Sequence, residues 1–144
     1  MTTFKEAQRS RSKPVARSKR APKVKSEDQE QITLMSWAHR VKFGSGRLSD
    51  YLFHIPNGGS RNPIEGAKFK KMGVKAGVPD LQLIVPNGVI HGLWIELKSK
   101  KGKLQPSQRL MIQRLEEQGY MCKVCFGADE AINEIKKYLM LKVA

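Results

Sequence analysis

Apolar residues recur every three or four positions in four segments of the chain, a spacing that places them on one face of an α-helix. The first segment follows Ser26, a good helix cap, and has acidic residues in its first turn. We expect this helix to run from residue 27 to about residue 42 and to end at the glycines of residues 44–46. Three further helices are predicted to begin at Pro63, Pro106 and Asp129 and to end near residues 72, 118 and 141.

Shorter apolar runs lie between these helices and are bounded by turn-forming residues, which is typical of β-strands. Four strands are predicted, at residues 51–55, 77–85, 92–98 and 120–126. The second and third flank the turn Pro86-Asn87-Gly88, which favours an antiparallel hairpin. The order of helices and strands, αβαββαβα, predicts an α/β domain with a mixed central β-sheet flanked by helices.

The predicted hairpin carries charged residues among its apolar ones. Asp80 stands at the start of its first strand, and Glu96 and Lys98 lie two residues apart in its second. Because side chains alternate along a strand, Glu96 and Lys98 point to the same face, and Asp80 can approach both from the neighbouring strand. Two carboxylates and an ammonium group at one place on a sheet predict a Mg²⁺ or Mn²⁺ site with a lysine beside it.

These three side chains suit the hydrolysis of a phosphodiester. A bound divalent ion polarises the phosphate and lowers the pKa of a bound water. Lys98 can orient that water or stabilise the charge that develops on the phosphate. An isolated Glu-x-Lys tripeptide is more often a solvent-facing pair, so the interpretation depends on the full pattern of Pro-Asp, apolar strand, turn and Glu-x-Lys among apolar neighbours.

The charge of the chain is strongly positive. It has 27 Lys and Arg against 13 Asp and Glu, a formal net charge of +14, which indicates a polyanionic partner such as nucleic acid. Residues 1–26 hold nine of the basic residues and are predicted to be a disordered basic arm, either a phosphate-binding tether or a solvated tail without a specific role. Residues 27–144 are predicted to form one folded domain.

Two segments ahead of Asp80 carry groups suited to phosphate contacts. The loop after the first predicted strand is rich in turn formers and would expose backbone amides. The helix that begins at Pro63 ends in lysines, a placement that the helix dipole also favours on structural grounds alone. The residues predicted to contact nucleic acid are His54, Asn57, Ser60, Arg61, Lys68, Lys71 and Lys75.

Membrane proteins and zinc or redox proteins are disfavoured. No apolar run is long enough to cross a membrane, and the basic N-terminus lacks the apolar segment of a signal peptide, so a cytoplasmic location is expected. Cys122 and Cys125 have the CxxC spacing of zinc and redox sites. No second Cys/His pair lies at ligand spacing, however, and both fall in a predicted strand, which favours core or half-buried thiols.

The segments around the predicted hairpin resemble a known nuclease family. Pro79-Asp80 and Glu96-Leu97-Lys98 resemble the signature of the PD-(D/E)XK superfamily. Together with the longer stretches at residues 54–59 (HIPNGG), 73–80 (GVKAGVPD), 92–98 (GLWIELK) and 104–108 (LQPSQ), they resemble its VRR-NUC branch, in particular the small stand-alone members typical of phages and prophages. The likeness covers about residues 27–141 and leaves the basic arm out.

This resemblance implies a restriction-endonuclease-like core, a Mg²⁺ or Mn²⁺ cofactor, and structure-selective cleavage of DNA. The small stand-alone members resemble Holliday-junction resolvases, which implies a homodimer that would present two active sites to a symmetric four-way junction. If the chain is encoded by a phage, the cytoplasm in which it acts is that of the host cell.

The resemblance also implies roles for individual residues. Asp80 and Glu96 would be metal ligands, Lys98 the catalytic lysine, and Gln108 the glutamine that supports the site or contacts DNA. An acidic residue of the first helix contributes to the family's site as a further catalytic and metal-binding group. Glu27 and Glu30 compete for that place, and Glu27 is preferred because it shares a helix face with Gln31.

Two other functions are compatible with the same composition. One is a non-catalytic DNA-binding module that keeps the nuclease fold, although a decayed nuclease would be expected to have lost at least one of Asp80, Glu96 and Lys98. The other is an RNA-binding protein whose function lies in the arm. Deletion of residues 1–26 would distinguish it, because all affinity for nucleic acid would then be lost with the arm.

Overall fold

The computed structural model describes residues 21–56 and 62–140 of the chain. Its helices are α1 (Glu27–Ala38), α2 (Pro63–Lys71), α3 (Pro106–Glu117) and α4 (Ala128–Tyr138). Its strands are β1 (Lys42–Phe43), β2 (Gly46–Arg47), β3 (Leu52–His54), β4 (Leu81–Leu83), β5 (Leu93–Lys98) and β6 (Met121–Phe126), and a single 3-10 turn covers Leu48–Asp50. In this part of the chain no helix is both long enough and apolar enough to span a bilayer.

The central sheet has four strands in the order β3-β4-β5-β6. The β3–β4 and β4–β5 pairs are antiparallel, whereas β5 and β6 are parallel and α3 makes the connection between them. The predicted hairpin is therefore present, with Leu81 opposite Ile95. The predicted mixed α/β architecture is confirmed.

The first helix is shorter than its apolar pattern suggests. It starts after Ser26, whose side chain accepts a hydrogen bond from the Gln29 amide as predicted, but it ends at Ala38. Residues 44–46 do not stop the helix; Gly44 and Ser45 form the turn between β1 and β2, and Gly46 begins β2. The Phe43 ring packs edge-on against the Tyr51 ring at 5.1 Å, a contact that a continued helix would lose.

The core lies on the face of the sheet that α1 and α4 cover, and β5 supplies residues to both faces. The fully buried leucines and isoleucine of the sheet are Leu52, Leu81, Leu83, Leu93, Ile95 and Leu97. On the opposite face of β5, Glu96 and Lys98 are only 3% and 6% exposed. Charges are rarely buried to this extent unless they are paired or bind an ion, so their position requires a specific explanation.

The two cysteines are thiols of the sheet, as predicted. Cys125 is buried and Cys122 half-buried, and neither forms a disulfide. Burial, followed by the charge of nearby glutamates, raises the pKa of each thiol to about 12. Because metal binding and disulfide exchange need the thiolate, this environment disfavours both.

Candidate active site

The candidate site lies at the end of the sheet where β4 begins and β5 ends. Asp80 immediately precedes β4, and its Oδ2 accepts a hydrogen bond from the backbone amide of Leu97 at 2.8 Å. That bond fixes the aspartate carboxylate between the two strands of the hairpin. The loop before Asp80 turns at Gly77, which lies against the backbone of Ser107 in the first turn of α3.

Glu96 and Lys98 form a buried pair beside this aspartate. Lys98 Nζ lies 3.3 Å from Glu96 Oε1, and both side chains project from the same face of β5. Removing one member of such a pair would leave an uncompensated charge in the interior. The pair is therefore costly to the fold, which favours a role in chemistry over one in stability.

Gln108 joins this pair from α3. It is the third residue of the helix that starts at Pro106, and its side-chain oxygen accepts the Gln105 amide hydrogen at 2.8 Å. Its Nε2 then donates to Glu96 Oε1 at 2.7 Å. The helix start thus fixes the glutamine, and the glutamine fixes the glutamate.

The second oxygen of Glu96 is left without a partner. Oε2 is buried and accepts no hydrogen bond from the described residues. Burial, followed by the charge of Asp80, raises the pKa of Glu96 to about 7, and burial is also the main cause of the raised pKa of Asp80. Two desolvated carboxylates, one with an unused oxygen and both next to the charge of Glu27, form an environment that a bound cation would relieve.

These donors fit a hard divalent cation such as Mg²⁺ or Mn²⁺, because all are carboxylate oxygens. No three His, Cys, Asp or Glu side chains converge into a ready ligand set anywhere in residues 21–56 and 62–140. An ion held by Asp80 and Glu96 would thus need oxygens from water, backbone or a phosphate to complete its shell. Mg²⁺ commonly binds in this way, through one or two carboxylates and substrate oxygens.

A cavity of about 360 Å³ opens next to Asp80, and we call it the catalytic cavity. The first turns of α1 form one wall, and the ends of β3 and β5 form the other. Its lining residues are Glu27, Asp28, Gln31, His54, Pro56, Asp80 and Leu97. The cavity combines carboxylate and imidazole groups with an opening to solvent, as a site for a charged substrate requires.

The two glutamates that compete for the first-helix position are separated by their contacts. Glu30 Oε2 accepts the backbone amide hydrogen of Ala128 at 2.8 Å, so it caps α4, whose own cap residue Gly127 has no side chain. Glu27 instead lines the catalytic cavity, and its charge raises the pKa of both Asp80 and Glu96. This placement favours Glu27 as the acidic group of the site.

Replacing Glu27 with alanine is expected to lower activity, whereas replacing Glu30 with alanine is expected to lower stability. Glu27→Ala should lower any metal-dependent cleavage by tenfold or more at limiting metal concentration, and it should change the unfolding free energy by less than about 0.5 kcal/mol because the residue is exposed. Glu30→Ala should cost about 0.5–2 kcal/mol through the lost cap and leave the activity of the folded protein near that of wild type. Urea unfolding and a metal titration of cleavage measure both effects; equal losses of activity would contradict the assignment.

The residues predicted to contact nucleic acid are only partly described. His54 lines the catalytic cavity, but its Nδ1 donates to the backbone carbonyl of Asp80 at 2.7 Å, so only Nε2 remains for a ligand. Lys68 and Lys71 are exposed on α2, and Lys75 is exposed after it. Three predicted contacts, Asn57, Ser60 and Arg61, lie outside the described residues.

Sequence reasoning missed the segment that follows β5. The backbone amide of Ser99 donates to Glu27 Oε1 at 3.4 Å, and Gly102 lies so close that an added Cβ would be 3.2 Å from the same oxygen. The sequence signal was the lysine-rich run Ser99-Lys-Lys-Gly-Lys103 directly after Glu-x-Lys.

Comparisons with known proteins agree with this geometry. The family model described as "VRR-NUC domain" matches residues 25–129. This span includes the site residues Asp80, Glu96, Lys98 and Gln108 and both glutamates of the first helix. A solved structure described as "VRR_NUC domain protein" is 39% identical to this chain and superposes with a TM-score of 0.73. The alignment covers 83% of this chain and 93% of that one. No curated protein matches the sequence.

Proposed function

Because the chain belongs to the VRR-NUC domain family of nucleases, we propose that it is a Mg²⁺- or Mn²⁺-dependent, structure-selective DNA endonuclease. One observation carries this proposal. Asp80, Glu96, Lys98 and Gln108 come together at one end of the sheet, with a buried carboxylate oxygen left unpaired. The joint presence of Asp80, Glu96 and Lys98 supports this proposal over a non-catalytic module, which would be expected to have lost at least one of them.

Each residue has a distinct part in the proposed reaction. A bound Mg²⁺ or Mn²⁺ would polarise the phosphate and lower the pKa of a bound water. Asp80 and the unpaired oxygen of Glu96 would hold that ion, and Glu27 would reach it from α1. Gln108 donates to the other oxygen of Glu96, which would hold the carboxylate with its unpaired oxygen available to an ion. Lys98, held 3.3 Å from Glu96, orients the attacking water or stabilises the charge that develops on the phosphate.

The proposed substrate is branched DNA, with four-way junctions first among the candidates. The strongly basic chain supports a polyanionic partner. No recognition-helix pattern is present in the sequence, so the DNA would be read through its backbone and its shape rather than through base edges. A homodimer would present two active sites to a symmetric junction, and the enzyme would act in the cytoplasm, that of the host if phage-encoded.

A panel of labelled substrates tests this function. Four-way junctions, flaps, linear duplex and single-stranded RNA are incubated with the full chain in Mg²⁺, Mn²⁺, Ca²⁺ or EDTA. We expect cutting of branched DNA in Mg²⁺ or Mn²⁺ and none in EDTA. Equal cutting in EDTA, or no cutting of any DNA with either metal, would overturn the proposal. Preferential cutting of RNA would identify RNA, rather than DNA, as the substrate.

The oligomeric state is measured on the same samples. Analytical ultracentrifugation of the free protein should give twice the mass of the 144-residue chain, and with the junction it should give that mass plus one junction; the junction should be cut at symmetric positions on opposite strands. A monomer that cuts flaps but not junctions would retain the nuclease proposal and overturn the dimeric junction-cutting part of it.

A further inference from the structure

A short basic segment follows β5 and is not used by the chemistry described above. We call residues 99–103 the basic turn. Lys100, Lys101 and Lys103 are exposed, and in residues 21–56 and 62–140 none of the three takes part in an ion pair. Three neighbouring amines with no carboxylate partner repel one another and gain from binding an anion.

The basic turn is held against the candidate site. The Gly102 amide donates to the Ser99 carbonyl at 2.9 Å and closes the turn. The Ser99 amide donates to Glu27 Oε1, and a Cβ added to Gly102 would lie 3.2 Å from that oxygen and 3.3 Å from Lys98 Cβ. The three lysines are thus carried by a turn whose backbone touches two residues of the proposed reaction.

A second concavity adjoins the catalytic cavity at this turn, and we call it the turn groove. It has a volume of about 430 Å³. Its lining residues are Val24, Lys25, Ser26, Glu27, Asp28, Ser99 and Lys101. Glu27 and Asp28 also line the catalytic cavity, so the two concavities meet at the first turn of α1. The groove is also bordered by residues 24 and 25, which lead back into the basic arm.

The two concavities share the carboxylates of Glu27 and Asp28, but only the turn groove is lined by lysines. The catalytic cavity contains the carboxylates of Glu27, Asp28 and Asp80, which repel a phosphodiester chain in the absence of cations. Lys25 and Lys101 line the turn groove, and Lys100 and Lys103 stand next to it on the same turn. Amines at this position offset the repulsion and attract the phosphates that precede or follow the one being cut.

We propose that the basic turn and Lys25 bind the sugar–phosphate backbone of the nucleic-acid strand on one side of the scissile phosphate. This inference rests on the proposed nuclease function of the catalytic cavity. The lysines of α2 belong to the connection between β3 and β4, whereas the basic turn follows β5, so the two basic segments are carried by different elements. The turn groove also gives the basic arm a defined starting point beside the DNA.

Binding assays with a charge-matched control test the proposal. The test variant is Lys100→Ala/Lys101→Ala, and the control is Lys136→Ala/Lys137→Ala in the last turn of α4. The control pair lies at the far end of the sheet, where the Tyr138 hydroxyl donates to the Val85 carbonyl. Dissociation constants of the full chains for a four-way junction are measured in Ca²⁺ across a range of salt concentrations.

The test variant should bind about tenfold more weakly, and the slope of log Kd against log salt should fall by about 2, one for each lost phosphate contact. The control should stay within twofold of wild type with an unchanged slope. Equal effects of the two variants would overturn the proposal, because the basic turn would then act only through net charge. No effect of either variant would also overturn it.

Neutral phosphates locate the contact on the strand. Methylphosphonates replace the two phosphates on one side of the cut position, or the two on the other side. In wild type, one of these substrates should bind more weakly through the lost turn contacts, and the test variant should show no further loss with that substrate. Fully additive losses would overturn the proposal.

If wild type cuts DNA in the substrate panel and the test variant binds normally, only the role of the turn fails. If wild type cuts nothing, the nuclease function itself fails.

Discussion

Replacement of Lys98 with methionine is expected to lower the rate of DNA cleavage by about 10²–10⁴-fold while leaving DNA affinity within threefold of wild type. Methionine preserves much of the apolar stem but removes the ammonium group beside Glu96 Oε1. The variant therefore loses the positive charge that would stabilise the negative charge developing on the phosphate during the reaction. Single-turnover cleavage at saturating protein and binding in Ca²⁺ measure the two effects separately.

The matched control for this variant is Lys123→Met. Lys123 lies on the neighbouring strand β6 and forms an ion pair with Glu134 at 3.8 Å, away from the candidate site. The Lys123→Met variant should cleave DNA at the wild-type rate. Because loss of Lys98 also removes an opposing charge from Glu96, the reaction is repeated at increasing Mg²⁺ concentration. A rate that recovers fully at high Mg²⁺ would show that Lys98 only assists ion binding, and a rate within tenfold of wild type throughout would contradict a catalytic role.

Replacement of Gly77 with alanine is expected to destabilise the domain by several kcal/mol and to abolish cleavage. Gly77 has a φ of +86°, which disfavours any residue with a side chain by about 1–2 kcal/mol. In addition, the new Cβ would overlap the backbone of Ser107 and lie 2.9 Å from the backbone nitrogen of Gln108. The start of α3 and the loop that places Asp80 cannot both keep their positions. Urea unfolding and the cleavage assay report the two losses.

Gly73 supplies the control for this substitution. It has a φ of +98° at the end of α2, but a Cβ added there would meet no atom within 4 Å. Gly73→Ala should therefore show the cost of backbone strain alone, about 1–2 kcal/mol, with cleavage by the folded protein retained. Equal destabilisation by the two substitutions would mean that the contact between Gly77 and α3 carries no extra energy.

The main features of the hairpin follow from local sequence. Strand alternation places Glu96 and Lys98 on one face, and the Pro86-Asn87-Gly88 turn brings the strand after Asp80 beside them. Gln108 was assigned through its place in the family pattern, and it reaches Glu96 because Pro106 starts α3 two residues earlier. The roles of these residues in catalysis remain predictions. The positions of these side chains could be predicted because they depend on the alternation of side chains along a strand or on the residue at which a helix starts.

The limits of prediction appear where a contact joins two separate elements. Residues 42–47 form a hairpin instead of extending α1, and this hairpin packs the Phe43 ring against the Tyr51 ring. The basic turn was missed because Ser99 contacts Glu27, 72 residues earlier in the chain. Neither contact has a local signal, since each is selected by packing between elements.

By itself, the sequence determined the order of the four helices and of the four strands of the central sheet, the strand face shared by Glu96 and Lys98, and the positive charge that indicates a nucleic-acid partner. It left Glu27 and Glu30 as alternatives, because both are acidic residues of the same first helical turn. Only the tertiary structure separated them. Once α1 packs beside α4, Glu30 is held by the amide of Ala128, and Glu27 is the one directed to the catalytic cavity. Helix periodicity cannot make this distinction, because it depends on where two other elements end.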